Sequence, residues 1–160
     1  MDYLEYSTKV KSRYNGSKSI EGKENLIDVL YDEKFEWKWF ATKLKMFSFI
    51  SYSSIVEENT IKAYSKTTFE YARKNYKGLP RGIQNGFTSF ALLASEDISK
   101  EAIDFVQRRP TKHFSAFEMP ILYDLNREVL YFYRNTPIWG QIYYEYFREY
   151  ILKNFSCISS

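Results

Sequence analysis

His113 is the one histidine in the sequence, and it precedes Glu118 by five residues in Lys112-His113-Phe114-Ser115-Ala116-Phe117-Glu118. Imidazole changes charge near neutral pH, so a histidine oriented by a carboxylate can serve as a general base. Asp124 follows a little further along. On one uninterrupted strand, however, His113 and Glu118 project to opposite faces, because side chains alternate with period two. Read that way, His113 is a structural or surface residue.

A second polar group sits upstream. Gly78, Gly82 and Gly86 recur at a spacing of four, with Pro80 between them and Lys77, Arg81, Gln84 and Asn85 alongside. Flexible glycines beside two cations can cradle an anion through backbone amides. This loop leads into an apolar run, whereas phosphate loops lead into a helix N-terminus, so the dipole contribution is missing. It also reads as a plain crossover connection. Gly22-Lys23 lacks the upstream glycine of a P-loop. Asp32 with Glu36-Trp37-Lys38 is similar in outline to the acid and Glu-x-Lys pair of metal-dependent nucleases. The spacing is short, and in a chain with 27% charged residues such triplets arise by chance. Trp139 follows Thr136-Pro137 and precedes Gly140. Exposed, it would be a binding anchor; buried, a plug over a neighbouring hairpin. The candidate binding residues are therefore Lys77, Arg81, Gln84, Asn85, Lys112, His113, Glu118 and Trp139, and no catalytic set is assigned.

Composition narrows the chemistry. Cys157 is the single cysteine, which excludes an intrachain disulfide and a four-cysteine zinc site. With one histidine as well, no metal site and no cofactor are expected. The net charge of +3 is too small to argue for nucleic acid. Stacking of single-stranded nucleic acid on the many aromatics ranks behind a small anionic ligand or a protein partner. No run approaches the ~18 apolar residues of a membrane span. Met1-Asp2-Tyr3-Leu4-Glu5 is unlike a signal peptide, so a cytoplasmic protein is the default. A homo-oligomer is compatible with this composition.

The elements that must position these residues follow in order. Residues 1–25 read as a flexible arm, with a short strand near Tyr3 to Tyr6. Leu26 to Tyr31 could open a helix capped by Asn25. Phe35 to Trp39 alternates as a half-buried strand or continues that helix; Lys45 to Ser53 is a more buried strand paired with it. Ser54-Ile55-Val56-Glu57 is a capping box for a helix from Ile55 to about Tyr76. Phe87 to Ala94 is apolar at nearly every position, as a central strand covered on both faces should be. Ser95 or Asp97 caps the next helix, ended by Pro110. Two β-branched and aromatic runs, Ile121 to Leu125 and Val129 to Tyr133, flank Asn126-Arg127-Glu128 as a hairpin. Thr136-Pro137 caps and opens a last helix, whose buried stripe includes Ile138, Ile142, Phe147 and Ile151. Residues 156–160 form a polar tail.

The expected fold is α/β (or α+β): one domain over residues 26–155, a mixed sheet with helices packed on it, in the order β-β-α-β-α-β-β-α. This order resembles the thioredoxin-like fold, and Pro120, placed at the start of a core strand, resembles that family's cis-proline. Where the family's Cys-x-x-Cys should follow the first core strand, this chain reads Ser53-Ser54-Ile55-Val56, so no thiol redox role is implied. The functional expectation is a non-catalytic binding or interaction module. The alternative is a small hydrolase or nuclease with a site near Arg81, His113 and Glu118.

Overall fold

The run from Phe87 to Ala94 lies at the middle of a sheet, buried along its length. It belongs to the strand Asn85–Ser95, which pairs in parallel with Thr42–Tyr52 on one side and Ala116–Asp124 on the other. The computed structural model describes residues 1–36, 42–77, 85–137 and 141–157. In chain order these form α1 (Tyr3–Lys11), β1 (Lys18–Glu21), β2 (Leu26–Glu36), β3 (Thr42–Tyr52), β4 (Ile55–Val56) and α2 (Glu58–Asn75). Next come β5 (Asn85–Ser95), β6 (Asp97–Ile98), α3 (Lys100–Gln107) and β7 (Lys112–His113). β8 (Ala116–Asp124), β9 (Val129–Tyr131) and α4 (Gln141–Phe155) complete the fold.

The strands lie in the order β1-β2-β3-β5-β8, and β7 and β9 both pair with the outer edge of β8. β3, β5 and β8 advance across the sheet in one direction, so crossovers of one hand bring α2 and α3 to one face. Their side chains meet the sheet through Phe47, Phe49, Phe87, Leu93 and Leu122. α1 and α4 cover the other face over Leu30, Met46, Phe90, Ile121 and Tyr123. The chain is a mixed α/β fold with helices on both sides of its sheet.

Each parallel crossover leaves the sheet by the same device. Ser53 Oγ donates to the Ile55 carbonyl at 2.7 Å, and Ser95 Oγ to the Asp97 carbonyl at 2.9 Å. Both hydroxyls bend the chain just past a strand, a local competition for backbone groups typical of serine. The two-residue strands that follow, β4 and β6, pair with each other in parallel.

Several expectations need correction. The first 25 residues are not a flexible arm with a strand near Tyr3: α1 and β1 occupy them, and Tyr6 and Val10 are fully buried. Asp2 caps α1 by accepting from the Glu5 amide at 2.8 Å. Leu26 to Tyr31 is strand β2, because antiparallel pairing with β1 and β3 satisfies its backbone on both sides. Asn25 does not cap a helix; its amide donates to the Tyr52 carbonyl. Ile55 and Val56 are taken by β4, so α2 starts at Glu58 and the expected capping box does not form. Ser99, not Ser95 or Asp97, caps α3. Thr136 and Pro137 precede the described start of α4 at Gln141, and Ile142 is exposed. Pro120 lies inside β8, four residues after its start, and no described peptide bond is cis. Ile138 and residues 37–41 lie outside the described residues.

Candidate functional site

β7 and β8 form a tight hairpin in which His113 pairs with Ala116. The turn residue Ser115 adopts φ 48°, in the left-handed region, where a residue with a Cβ pays about 1–2 kcal/mol. β5 steadies this turn. The Phe87 amide donates to the Ser115 carbonyl at 3.4 Å, and a Cβ on Gly86 would lie 2.7 Å from that same oxygen. Only glycine lets β5 begin so close to the hairpin. The described end of the Gly78 to Gly86 loop thus meets the segment from Lys112 to Glu118.

The turn overturns the expectation that His113 and Glu118 face apart. Residues directly opposite in an antiparallel pair share a face, and Glu118 is two residues beyond Ala116. His113 Nε2 lies 2.9 Å from Glu118 Oε2. The second carboxylate oxygen accepts from Ser65 Oγ of α2 at 2.7 Å. The imidazole stacks on Phe69, one turn further along α2, with ring centroids 4.1 Å apart and 23° between planes. Glu118 is 18% exposed and His113 28%. The pair is therefore fixed from behind and open in front.

An ionised carboxylate can only accept, so His113 Nε2 donates to it. Nδ1 is left to accept in the neutral ring, or to donate in the charged one. Ser65 is no nucleophile in this arrangement, because its hydroxyl is fully buried and its proton points at Glu118 rather than at the imidazole.

A chain of adjoining rings runs from His113 towards Lys45 at the same end of the parallel strands. Phe69 adjoins Phe87 at 5.3 Å, Phe87 adjoins Tyr76 at 5.6 Å, and the Lys45 ammonium sits 5.3 Å over the Tyr76 ring. Lys45 also donates to the Lys77 carbonyl, and the Lys77 side chain is exposed. Phe114, at the tip of the hairpin, is 76% exposed.

Of the expected site residues, the structure brings His113 and Glu118 together and sets Lys77 at the same end of the parallel strands. Arg81, Gln84 and Trp139 lie outside the described residues, as do the side chains of Asn85 and Lys112. Asp124 is not at this site: it caps the β8–β9 turn by accepting from the Asn126 and Arg127 amides. Asp32 is exposed on β2, and the side chain of Glu36 with Trp37 and Lys38 lies outside the described residues. Sequence reasoning missed Ser65, Phe69 and Lys45. The periodicity of α2 signals Phe69 as buried, but only the hairpin turn, which carries no glycine or asparagine, shows that Glu118 faces it. Among the described residues no group of His, Cys, Asp or Glu is arranged to hold a metal ion, and no helix is long and apolar enough to cross a membrane. The chain matches no family model, no curated protein and no solved structure.

Proposed function

We propose that this protein works by binding, and that it receives a small anionic ligand on the sheet edge formed by the β7–β8 hairpin and the end of α2. What supports the reading is the clamped imidazole. With Nε2 held by Glu118 and the ring stacked on Phe69, the part-exposed imidazole of His113 is fixed in orientation, and such preorganisation lowers the entropy lost on binding. Lys45 and Lys77 supply positive charge at the same end of the parallel strands, and Phe114 offers an aromatic contact. The test is an NMR titration with inorganic phosphate, pyrophosphate and a short single-stranded oligonucleotide, following the His113 ring protons. Phosphate or pyrophosphate should move those signals. Glu118→Ala should weaken the response and cost about 1–3 kcal/mol of stability, because Ser65 loses its acceptor. If no anion moves the His113 signals, the reading fails; a response to the oligonucleotide alone would assign the edge to nucleic acid instead.

One observation favours a hydrolase as the second reading. A carboxylate that orients a part-exposed imidazole is the arrangement of a general base. Water would lose a proton to Nδ1 as its oxygen bonds to the ester carbon or phosphorus, and the Nδ1–H so formed would give that proton to the alkoxide whose bond breaks. In this case His113→Gln should lower turnover of an activated ester or diester by roughly 10²–10⁴-fold, and the absence of turnover by the unaltered protein removes the reading.

A further inference from the structure

We propose a second binding site, for a small uncharged molecule with an apolar body and a hydrogen-bonding edge, in the cleft between the β1–β2 turn and α2, where Tyr64 is lodged with an unpaired hydroxyl. It is independent of the His113 edge, since it opens at the opposite end of the parallel strands.

The cleft exists because the sheet is wider than the helices that cover it. α2 and α3 pack over β3, β5 and β8, while Ile20 of β1 and Val29 of β2 are only partly buried on that face. The step between α2 and the uncovered strands encloses about 310 Å³, the small end of the range for ligand pockets. It adjoins the C-terminal end of β3, and ligands of open α/β sheets gather beyond the carboxyl ends of the strands. The turn that forms its outer wall is anchored. A Cβ on Gly22 would lie 2.3 Å from the Asn25 carbonyl, so the turn closes tightly there, and Asn25 Nδ2 ties it to the Tyr52 carbonyl at 2.9 Å.

The lining sets the ligand class. Ile27, Leu93 and the Tyr64 ring are apolar, while Asn59, Thr60 and Thr67 of α2 add an amide and two hydroxyls. The charged side chains on the cleft are Lys23 and Glu24, adjacent, opposite in sign and exposed in the turn. A charged ligand would find no uncancelled counter-charge, and burying an unpaired charge is costly. The Tyr64 hydroxyl is buried and hydrogen-bonds to nothing in the protein. Burial holds its phenol well above the ordinary range, so it stays neutral and able to donate. A buried donor without a partner carries the desolvation penalty of that group, and a ligand acceptor removes it once a shift of the Tyr64 ring, which lines the cleft, brings the hydroxyl to it.

The experiment is an NMR screen of the full chain against uncharged one- and two-ring heterocycles, with carboxylates and amines of equal size as controls. Uncharged rings should shift the amides of Asn59, Ala63 and Tyr64. Ala63→Trp, at an exposed position on the cleft wall, should abolish the shifts. Tyr64→Phe should weaken binding about tenfold, the worth of one neutral hydrogen bond. Melting curves establish that each variant folds, and Thr67→Trp replaces Ala63→Trp if that one does not. No hit among the uncharged rings, hits that persist when the cleft is filled, or equal binding of the charged controls would overturn the proposal.

Discussion

On the face covered by α1 and α4, side chains from both helices and from β2, β3, β5, β8 and β9 merge into one apolar cluster. Aromatic rings bind it together: Tyr6 stacks on Tyr123 at 3.8 Å, Phe90 on Tyr150 at 4.8 Å, and Phe117 meets Phe147 at 4.9 Å. Two of its hydroxyls are paired, Tyr6 to the Phe155 carbonyl at 3.0 Å and Tyr150 to Tyr14 at 3.1 Å, while those of Tyr123 and Thr88 are buried without a partner. On the opposite face the apolar contacts fall into two separate clusters. Between them runs a polar belt of Ser65, Thr68, Ser89 and Glu118, reaching His113 at the edge. Buried polar groups occur on both faces, Ser48 and Thr88 on the first and Ser65, Thr68 and Ser89 on the second, and it is the continuity of the apolar contacts that differs. A buried polar group weakens packing unless it is satisfied, and in this belt Ser65 is paired with Glu118 while Ser89 is not.

The largest expected effect tests that cohesion. Phe147→Ala should cost about 3–5 kcal/mol in urea unfolding, as truncating a fully buried ring in a continuous core does. Phe69→Ala, in the smaller cluster beside half-open His113, should cost less because that site can relax or admit water. Equal costs would break the comparison.

Alkali should act mainly through the cohesive face. Burial, with Tyr133 nearby, pushes the Tyr144 phenol up to about 12, and burial raises Tyr6 and Tyr150 as well. An unfolded chain ionises its tyrosines near 10. Above that pH it binds fewer protons than the folded chain, so stability is whole below about pH 10 and falls as pH rises through about 12. Equilibrium unfolding across this window should show the loss, and Tyr144→Phe should reduce it. A flat profile would mean these hydroxyls reach solvent.

The smallest effect has the opposite sign. Ser89 is fully buried opposite Glu118 in the sheet register, and its hydroxyl has no partner. Ser89→Ala should be neutral or stabilising by up to about 1 kcal/mol, since an unpaired buried hydroxyl is removed. A clear destabilisation would show that the belt uses that hydroxyl.

Local signals carried part of this fold into the sequence. The apolar run of β5, the β8–β9 hairpin around Asn126-Arg127-Glu128 and the bodies of α2 and α3 are readable because their pattern and turn chemistry are local. α1 is hard to read because its inward face is Tyr6, Ser7 and Val10, while Leu4 is 74% exposed. β2 looks like a helix opening because Leu26 to Tyr31 is mostly apolar; its partners β1 and β3 decide the matter. The starts of α2 and α3 shift because β4 and β6 find each other across some forty residues of chain. His113 and Glu118 are legible as residues but not as a contact. A turn through Phe114-Ser115 reverses the parity of the strand, and neither residue announces a turn. The Tyr64 cleft has no motif at all, since it is a difference in width between a sheet and its helices.

The β4–β6 pairing also works as a clasp. The Ser99 amide donates to the Val56 carbonyl at 3.0 Å, just beyond the two paired residues. The N-terminal ends of α2 and α3 are therefore joined by backbone hydrogen bonds as well as by side chains. Neither helix can lift from the sheet at that end without breaking bonds to the other. In hydrogen-exchange terms the two crossovers are one cooperative opening unit, and a ligand that braces α2 would also slow exchange at the start of α3.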